Sequence, residues 1–152
     1  EGETNVIHFL ELLRDKIGFD EIAKKVVNPI GKKIGAYYGC LLLRPGKVME
    51  MDNPENPKIL EDFIKAIGGE PVIYARRNEC CGGYITMEDK NIANKKSGLI
   101  LENAKEQGAE LLVTACPLCL YNLKKNTDGH ELPVVYFTEL LAQALGVKKG
   151  DE

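Results

Sequence analysis

Two cysteines in direct succession followed by two glycines, Cys80-Cys81-Gly82-Gly83, constrain this chain more than any other feature, because the three remaining cysteines stand at spacings that let all five meet there. The pattern is Cys40-x39-Cys80-Cys81-x34-Cys116-Pro117-Leu118-Cys119, and no cysteine lies outside it. Neighbouring Cα atoms are about 3.8 Å apart, short of the roughly 4.4–6.8 Å that a disulfide spans. The adjacent pair is therefore a poor disulfide and a good metal site. The glycines permit unusual φ angles and let backbone N–H groups approach an inorganic ion.

Charge decides what holds five thiolates together. Each ion taken out of water costs several kcal/mol, so a cluster of thiolates without a cation reprotonates, and a metal is implied. Structural zinc takes four ligands and leaves one cysteine over. An ordinary cubane iron–sulfur cluster also takes four. Five thiolates point either to more iron positions than a simple cubane offers or to one cysteine held back for redox work. The plainer reading, five buried reduced cysteines acting as small hydrophobes, suits isolated cysteines but not a Cys-Cys pair together with Cys-x-x-Cys.

The remainder of the chain reads as an α/β domain with an open, largely parallel sheet and flanking helices, Rossmann-like in outline, preceded by an N-terminal helical connector. Val6, Phe9, Leu10, Leu13 and Ile17 share one stripe of a helix over 5–17, and a second short helix spans 21–27 before Asn28-Pro29. Residues 1–30 form the connector and 31–152 the cysteine-rich unit. Strands are predicted at 34–38, 71–75, 110–114 and 133–137. Between them, Asn56-Pro57 opens a helix buried through Ile59, Leu60, Phe63, Ile64 and Ile67. A helix over 89–107 buries Ile92, Leu99, Ile100 and Ala104, Cys116-Pro117 opens another, and Thr138 caps the last. This map puts Cys40 after the first strand, Cys80 and Cys81 after the second, and Cys116 and Cys119 after the third. All lie at the carboxyl edge, where open parallel sheets bind ligands. Cys116 at a helix N-cap and Cys119 in its first turn gain from the positive helix end, which favours thiolate.

The runs Tyr37-Tyr38-Gly39-Cys40-Leu41-Leu42-Leu43-Arg44-Pro45, Cys80-Cys81-Gly82-Gly83, Cys116-Pro117-Leu118-Cys119 and Phe137-Thr138-Glu139-Leu140-Leu141 resemble the cysteine-rich CCG domain of the heterodisulfide reductase B subunit. The resemblance covers roughly 5–147. Its Tyr-Tyr-Gly-Cys and Arg-Pro point to that subunit more than to the wider group of CCG domains in succinate, glycolate and lactate oxidising complexes. It implies a non-cubane [4Fe-4S] cluster on Cys40, Cys80, Cys81, Cys116 and Cys119, and an oxidoreductase that delivers electrons to a disulfide, the coenzyme M/coenzyme B heterodisulfide or an analogue, in anaerobic methanogenesis. Two such domains share the work in the family. The implied partners are thus a second CCG domain, the N-terminal half of the same subunit, with ferredoxin-like and flavin-containing reductase subunits behind it. With one motif and a first residue that is not Met, the chain reads as a C-terminal half, incomplete as an enzyme by itself.

Arg44, Arg76 and Arg77 follow strand ends and are candidates for anionic groups of a substrate or for offsetting cluster charge. Lys95 and Lys96 read as an exposed helix face, Tyr37 and Tyr38 as packing residues, His8 as a surface or packed histidine, His130 as a turn residue, and Met49 and Met51 as loop packing. The formal charge of −3 gives no argument for nucleic acid. The absence of a long apolar run gives none for a membrane span, and the odd cysteine count fits a reducing, cytoplasmic setting. Two alternatives stand beside the redox reading. One is a zinc-binding structural or docking module on four of the cysteines; the other is a dithiol pair on Cys116 and Cys119, without the usual thioredoxin context. In an aerobic preparation a cluster at an exposed sheet edge is expected to be lost, leaving the site empty, oxidised or filled by adventitious zinc.

Overall fold

A computed structural model of the chain describes residues 2–4, 6–40, 42–43, 46–49, 52–53, 56–85, 87–125 and 132–147. Four parallel strands, β1 (Lys33–Tyr37), β2 (Glu70–Val72), β3 (Leu111–Thr114) and β4 (Val134–Tyr136), lie in the order β2-β1-β3-β4. Ile34 pairs with Pro71 on one side and with Leu111 on the other, so β1 is central. Each strand is one to two residues shorter, or earlier by one, than its sequence pattern predicts.

Alternation along β1 sends side chains to two buried faces. Ile34, Ala36 and Tyr38 face a core closed by α4 (Ile59–Ala66) and α7 (Phe137–Ala144), whereas Tyr37 faces a second core beneath α5 (Lys90–Glu106) and α6 (Pro117–Lys125). A short helix not foreseen in the sequence, α3 (Gly46–Met49), lies between β1 and α4. The α4 start differs from expectation as well. Asn56 and Pro57 precede the helix, and the Asp52 carboxylate accepts the Lys58 and Ile59 N–H groups at 2.6 and 2.7 Å, satisfying orphan donors of the first turn.

The first thirty residues pack onto the first core. Helix α1 (Phe9–Leu12) runs into a π-helical segment, Leu13–Ile17, which ends where the Gly18 N–H reaches the Leu13 carbonyl at 2.9 Å. The predicted stripe is broken: the helix starts only at Phe9, leaving Val6 ahead of it, and the wider π turn follows, so that Leu10 and Leu13 are buried while Val6, Phe9 and Ile17 are exposed. Helix α2 (Phe19–Lys25) adds Ile22 to the core, and Phe19 meets Phe63 edge-on. The α5 face is likewise rotated from expectation. Ile92 and Leu99 are exposed, and Ala93, Ser97, Ile100, Leu101 and Ala104 are buried, because small residues let the cysteine loop lie close to the helix. Among the described residues no helix is long and apolar enough to cross a membrane.

Candidate metal centre

Strand order reverses at β1, whose chain continues outward to β2 while β3 lies on its other side. That switch point opens a crevice at the carboxyl edge. The structure brings the five cysteines together there: Cys40, Cys80, Cys81, Cys116 and Cys119 line one cavity, with Gly83, Tyr84 and Leu118 around it. All five are free thiols, Cys81 and Cys119 buried and the others half-buried.

Backbone requirements bring the loops this close. Gly39 has φ 65°, and a Cβ on it would stand 2.8 Å from the Cys119 sulfur. Gly82, at φ 81°, lies against Ala93 and the Lys96 stem on α5. The Cys81 carbonyl is held inside the protein by the Asn122 amide at 2.9 Å and the Ser97 hydroxyl at 3.2 Å. The Cys116 N–H bonds the Thr114 hydroxyl at 3.3 Å, and its carbonyl accepts the Leu120 N–H at 3.0 Å as α6 begins. Beneath the sulfurs, the Tyr37 hydroxyl donates to the Glu79 carbonyl at 2.6 Å. Tyr37 and Tyr38 are both packed, as the sequence predicts, and burial next to the charges of Cys81 and Cys119 pushes the Tyr37 hydroxyl far up.

The thiols lie too close together to ionise alike. Cys81 is pulled down to about 6 by its hydrogen bond with Cys119, 3.8 Å away between sulfurs, and by the Asn122 side chain and Gly83 N–H, against the opposing effect of burial. Cys116 also falls to about 6, through Cys119 first and then the Cys119 and Leu118 N–H groups at the helix start. Cys119, which interacts with both, is pushed far up by Cys116 and Cys81 and by burial. Burial and the nearby Cys80 raise Cys40. Two thiolates therefore form readily, and full ionisation of the set requires a cation.

Soft thiolates from three loops suit iron–sulfur clusters or zinc. Among the described residues no three ligating side chains stand in the tight grouping of a single bound ion, and the cavity measures about 10 Å³. The donor chemistry fits the implied cluster.

Of the three arginines singled out in the sequence, Arg76 bonds Glu79 at 2.8 Å near the surface. Arg77 lies against Glu61, with its Nη2 on Asn56 at 2.9 Å, and is committed to α4. Arg44 lies outside the described residues, as do His130 and Met51. Sequence reasoning missed Asn122, Ser97 and Glu61. Asn122 stands three residues after Cys119 on the same helix, and Ser97 falls in the Ala93-Ser97-Leu101 spacing that marks the buried face of α5.

The family model for the cysteine-rich domain CCG matches residues 34–124, a span that contains all five cysteines. The chain belongs to the CCG cysteine-rich domain family. Within curated proteins, this CCG chain is 30% identical to the membrane anchor of the 8-methylmenaquinol:fumarate reductase of Wolinella succinogenes, over 97% of its own length and 54% of that protein. It is 27% identical to the B subunit of the ferredoxin:CoB-CoM heterodisulfide reductase of Methanosarcina mazei, over 95% of this chain and 52% of that one. It is 28% identical to a protein of Archaeoglobus profundus described as similar to the heterodisulfide reductase B subunit, over 96% and 53% respectively. The chain thus spans about half the length of the curated relatives it matches.

Proposed function

We propose that this CCG chain is an iron–sulfur redox domain of a protein similar to the heterodisulfide reductase B subunit. In this reading Cys40, Cys80, Cys81, Cys116 and Cys119 hold a non-cubane [4Fe-4S] cluster. The convergence of five thiols from three loops on one cavity carries the reading, and the match to heterodisulfide reductase relatives supports it. Bound there, the cluster supplies one-electron transfer to a disulfide substrate. The protein's own part is placement and seclusion. Asn122 and Ser97 fix the backbone turn of Cys81, the start of α6 favours thiolate at Cys116, and Tyr37 closes the floor against water.

Reduction of a disulfide takes two electrons, and this chain has one five-cysteine set. The proposed partners are therefore a second CCG half of the same subunit, facing this one across the substrate, and ferredoxin-like and flavin-containing subunits that feed it. The test is anaerobic reconstitution with iron and sulfide, followed by heterodisulfide reduction from a low-potential donor, with and without the other half. Turnover should require both halves. Full turnover by this chain alone would contradict the two-site reading. A second reading, an electron-transfer domain in a fumarate reductase complex, is favoured by the Wolinella relative. It predicts electron exchange with a partner protein and no disulfide turnover in either arrangement.

A further inference from the structure

The cysteine loops leave unexplained a buried acid on the opposite side of the sheet edge. Glu61, in the first turn of α4, is only 5% exposed. Its Oε2 accepts the Tyr38 hydroxyl, and that hydroxyl in turn accepts the Leu60 N–H at 2.9 Å. Its Oε1 lies 3.2 Å from Arg77 Nε, an ion pair whose N–H axis is off line, so neither atom has a hydrogen-bond partner and the attraction is charge on charge. Arg77 also reaches Asn56 ahead of α4. The buried Tyr74 hydroxyl, without a hydrogen-bond partner, feels both charges.

Tyr38 and Arg77 are also joined through the backbone. The Tyr38 N–H donates to the Arg77 carbonyl at 2.8 Å, a separate backbone bond beyond the β1/β2 ladder that ties the end of β1 to the turn following β2. Tyr38 leads through Gly39 into Cys40, and Arg77 stands three residues before Cys80. The same two residues are thus tied once by main chain and once by side chain, with Glu61 as the shared anchor. Beyond this clamp, Cys40 and Cys80 line the same cavity.

We propose that Glu61 is a positioning residue: by gripping Tyr38 and Arg77 together it holds the Cys40 loop against the Cys80 loop. The functional meaning of that grip rests on the reading of the cysteines as one ligand set. The grip itself can be measured without metal. Surface carboxylates rarely go fully buried unless paired, and a buried pair is a weak source of net stability. A role in fixing relative position accounts for its presence where stability alone does not.

The experiment uses the full chain carrying Cys81→Ser, Cys116→Ser and Cys119→Ser, so that Cys40 and Cys80 are its only thiols. It is equilibrated in a glutathione redox buffer, quenched, and scored by mass for the Cys40–Cys80 disulfide against mixed disulfides, which gives the effective concentration of one thiol at the other. Groups on a flexible chain reach only about millimolar effective concentration, and the clamp should raise the pair well above that. Glu61→Ala should lower it about tenfold or more, the loss expected when a charge-assisted bond is removed. Tyr38→Phe, which keeps the packing, should lower it less, and Glu61→Gln, which still accepts from Tyr38, should fall between Glu61→Ala and the unaltered clamp. Ile100→Val, a core truncation on the other face, should lower the melting temperature and leave the effective concentration unchanged. If Glu61→Ala does not fold, Tyr38→Phe carries the test. Millimolar pairing in the parent, or an unchanged value in a folded Glu61→Ala or Tyr38→Phe chain, overturns the proposal. Neither result depends on which metal the five cysteines bind, so failure here and failure of the iron–sulfur reading are distinct.

Discussion

Gly39 and Gly31 share nearly the same left-handed backbone, φ 65° and 61°, in opposite surroundings. A Cβ on Gly31 would meet nothing within 4 Å, whereas one on Gly39 would stand 2.8 Å from the Cys119 sulfur. Alanine in this conformation costs roughly 1–2 kcal/mol, offset by roughly 0.4–1 kcal/mol from its narrower unfolded ensemble. Gly31→Ala should therefore destabilise the chain by about 1 kcal/mol. Gly39→Ala carries the same cost and also crowds Cys119, which is buried with Cys81 Sγ only 3.8 Å from its own sulfur. Overpacking of this kind adds about 1–3 kcal/mol. In a chain of this size each kcal/mol lowers the melting temperature by roughly 2–4 °C, so Gly39→Ala should melt roughly 2–12 °C below Gly31→Ala. The assay is thermal unfolding of the metal-free chain by circular dichroism, paired with iron uptake after anaerobic reconstitution. Gly31→Ala should keep its iron and Gly39→Ala should lose it. Equal midpoints and equal iron in the two variants would refute the claim that Gly39 is required by the approach of Cys119.

Asn122→Leu removes the amide that holds the Cys81 carbonyl while keeping side-chain volume. It should destabilise the chain by about 1–3 kcal/mol and lower iron uptake, as read by chemical denaturation and metal analysis. Cys116 is half-buried and held down to about 6, so its alkylation rate in the metal-free chain should climb through pH 6 and level off, instead of climbing near the ordinary thiol value of about 8.5. Mass mapping that finds Cys116 modified only at alkaline pH would contradict this. The stability of the metal-free chain should follow the same sign. Thiols held below their unfolded value stabilise the fold above that value, and the gain is lost as pH falls through about 6 for Cys81 and Cys116. Cys40 and Cys119, held up, oppose it only at pH above the ordinary thiol range.

The sheet and the cysteine cluster were legible because both depend on spacing: β1, β2 and β3 are each followed by a cysteine, closely after β1 and β3 and at the end of a longer loop after β2, and parallel topology turns that order into convergence. What escaped the sequence depends on rotation and on distant partners. Ile92 and Leu99 of α5 fall outside the buried face that Ile100 does join, since the Cys81 loop demands small side chains at Ala93 and Ser97. The π-helical turn at Leu13 displaces Ile17 from the stripe it occupies in a regular helix. The start of α4 is satisfied by Asp52, across a segment that local capping patterns do not reach. Arg77 reads in the sequence as a candidate for substrate or cluster charge because its partner Glu61 is supplied by another element, and a pairing so remote in sequence leaves no local signature.

The central claim, that the five cysteines act as one iron–sulfur ligand set, is tested most directly by iron, zinc and sulfide analysis of the anaerobically reconstituted chain. The oxidised protein is followed by electron paramagnetic resonance alongside Cys81→Ser. The account predicts about four iron and matching sulfide per chain, as in a [4Fe-4S] cluster, with iron lost and the signal altered in Cys81→Ser. A colourless protein holding one zinc, or a Cys81→Ser variant with unchanged iron and spectrum, would contradict it.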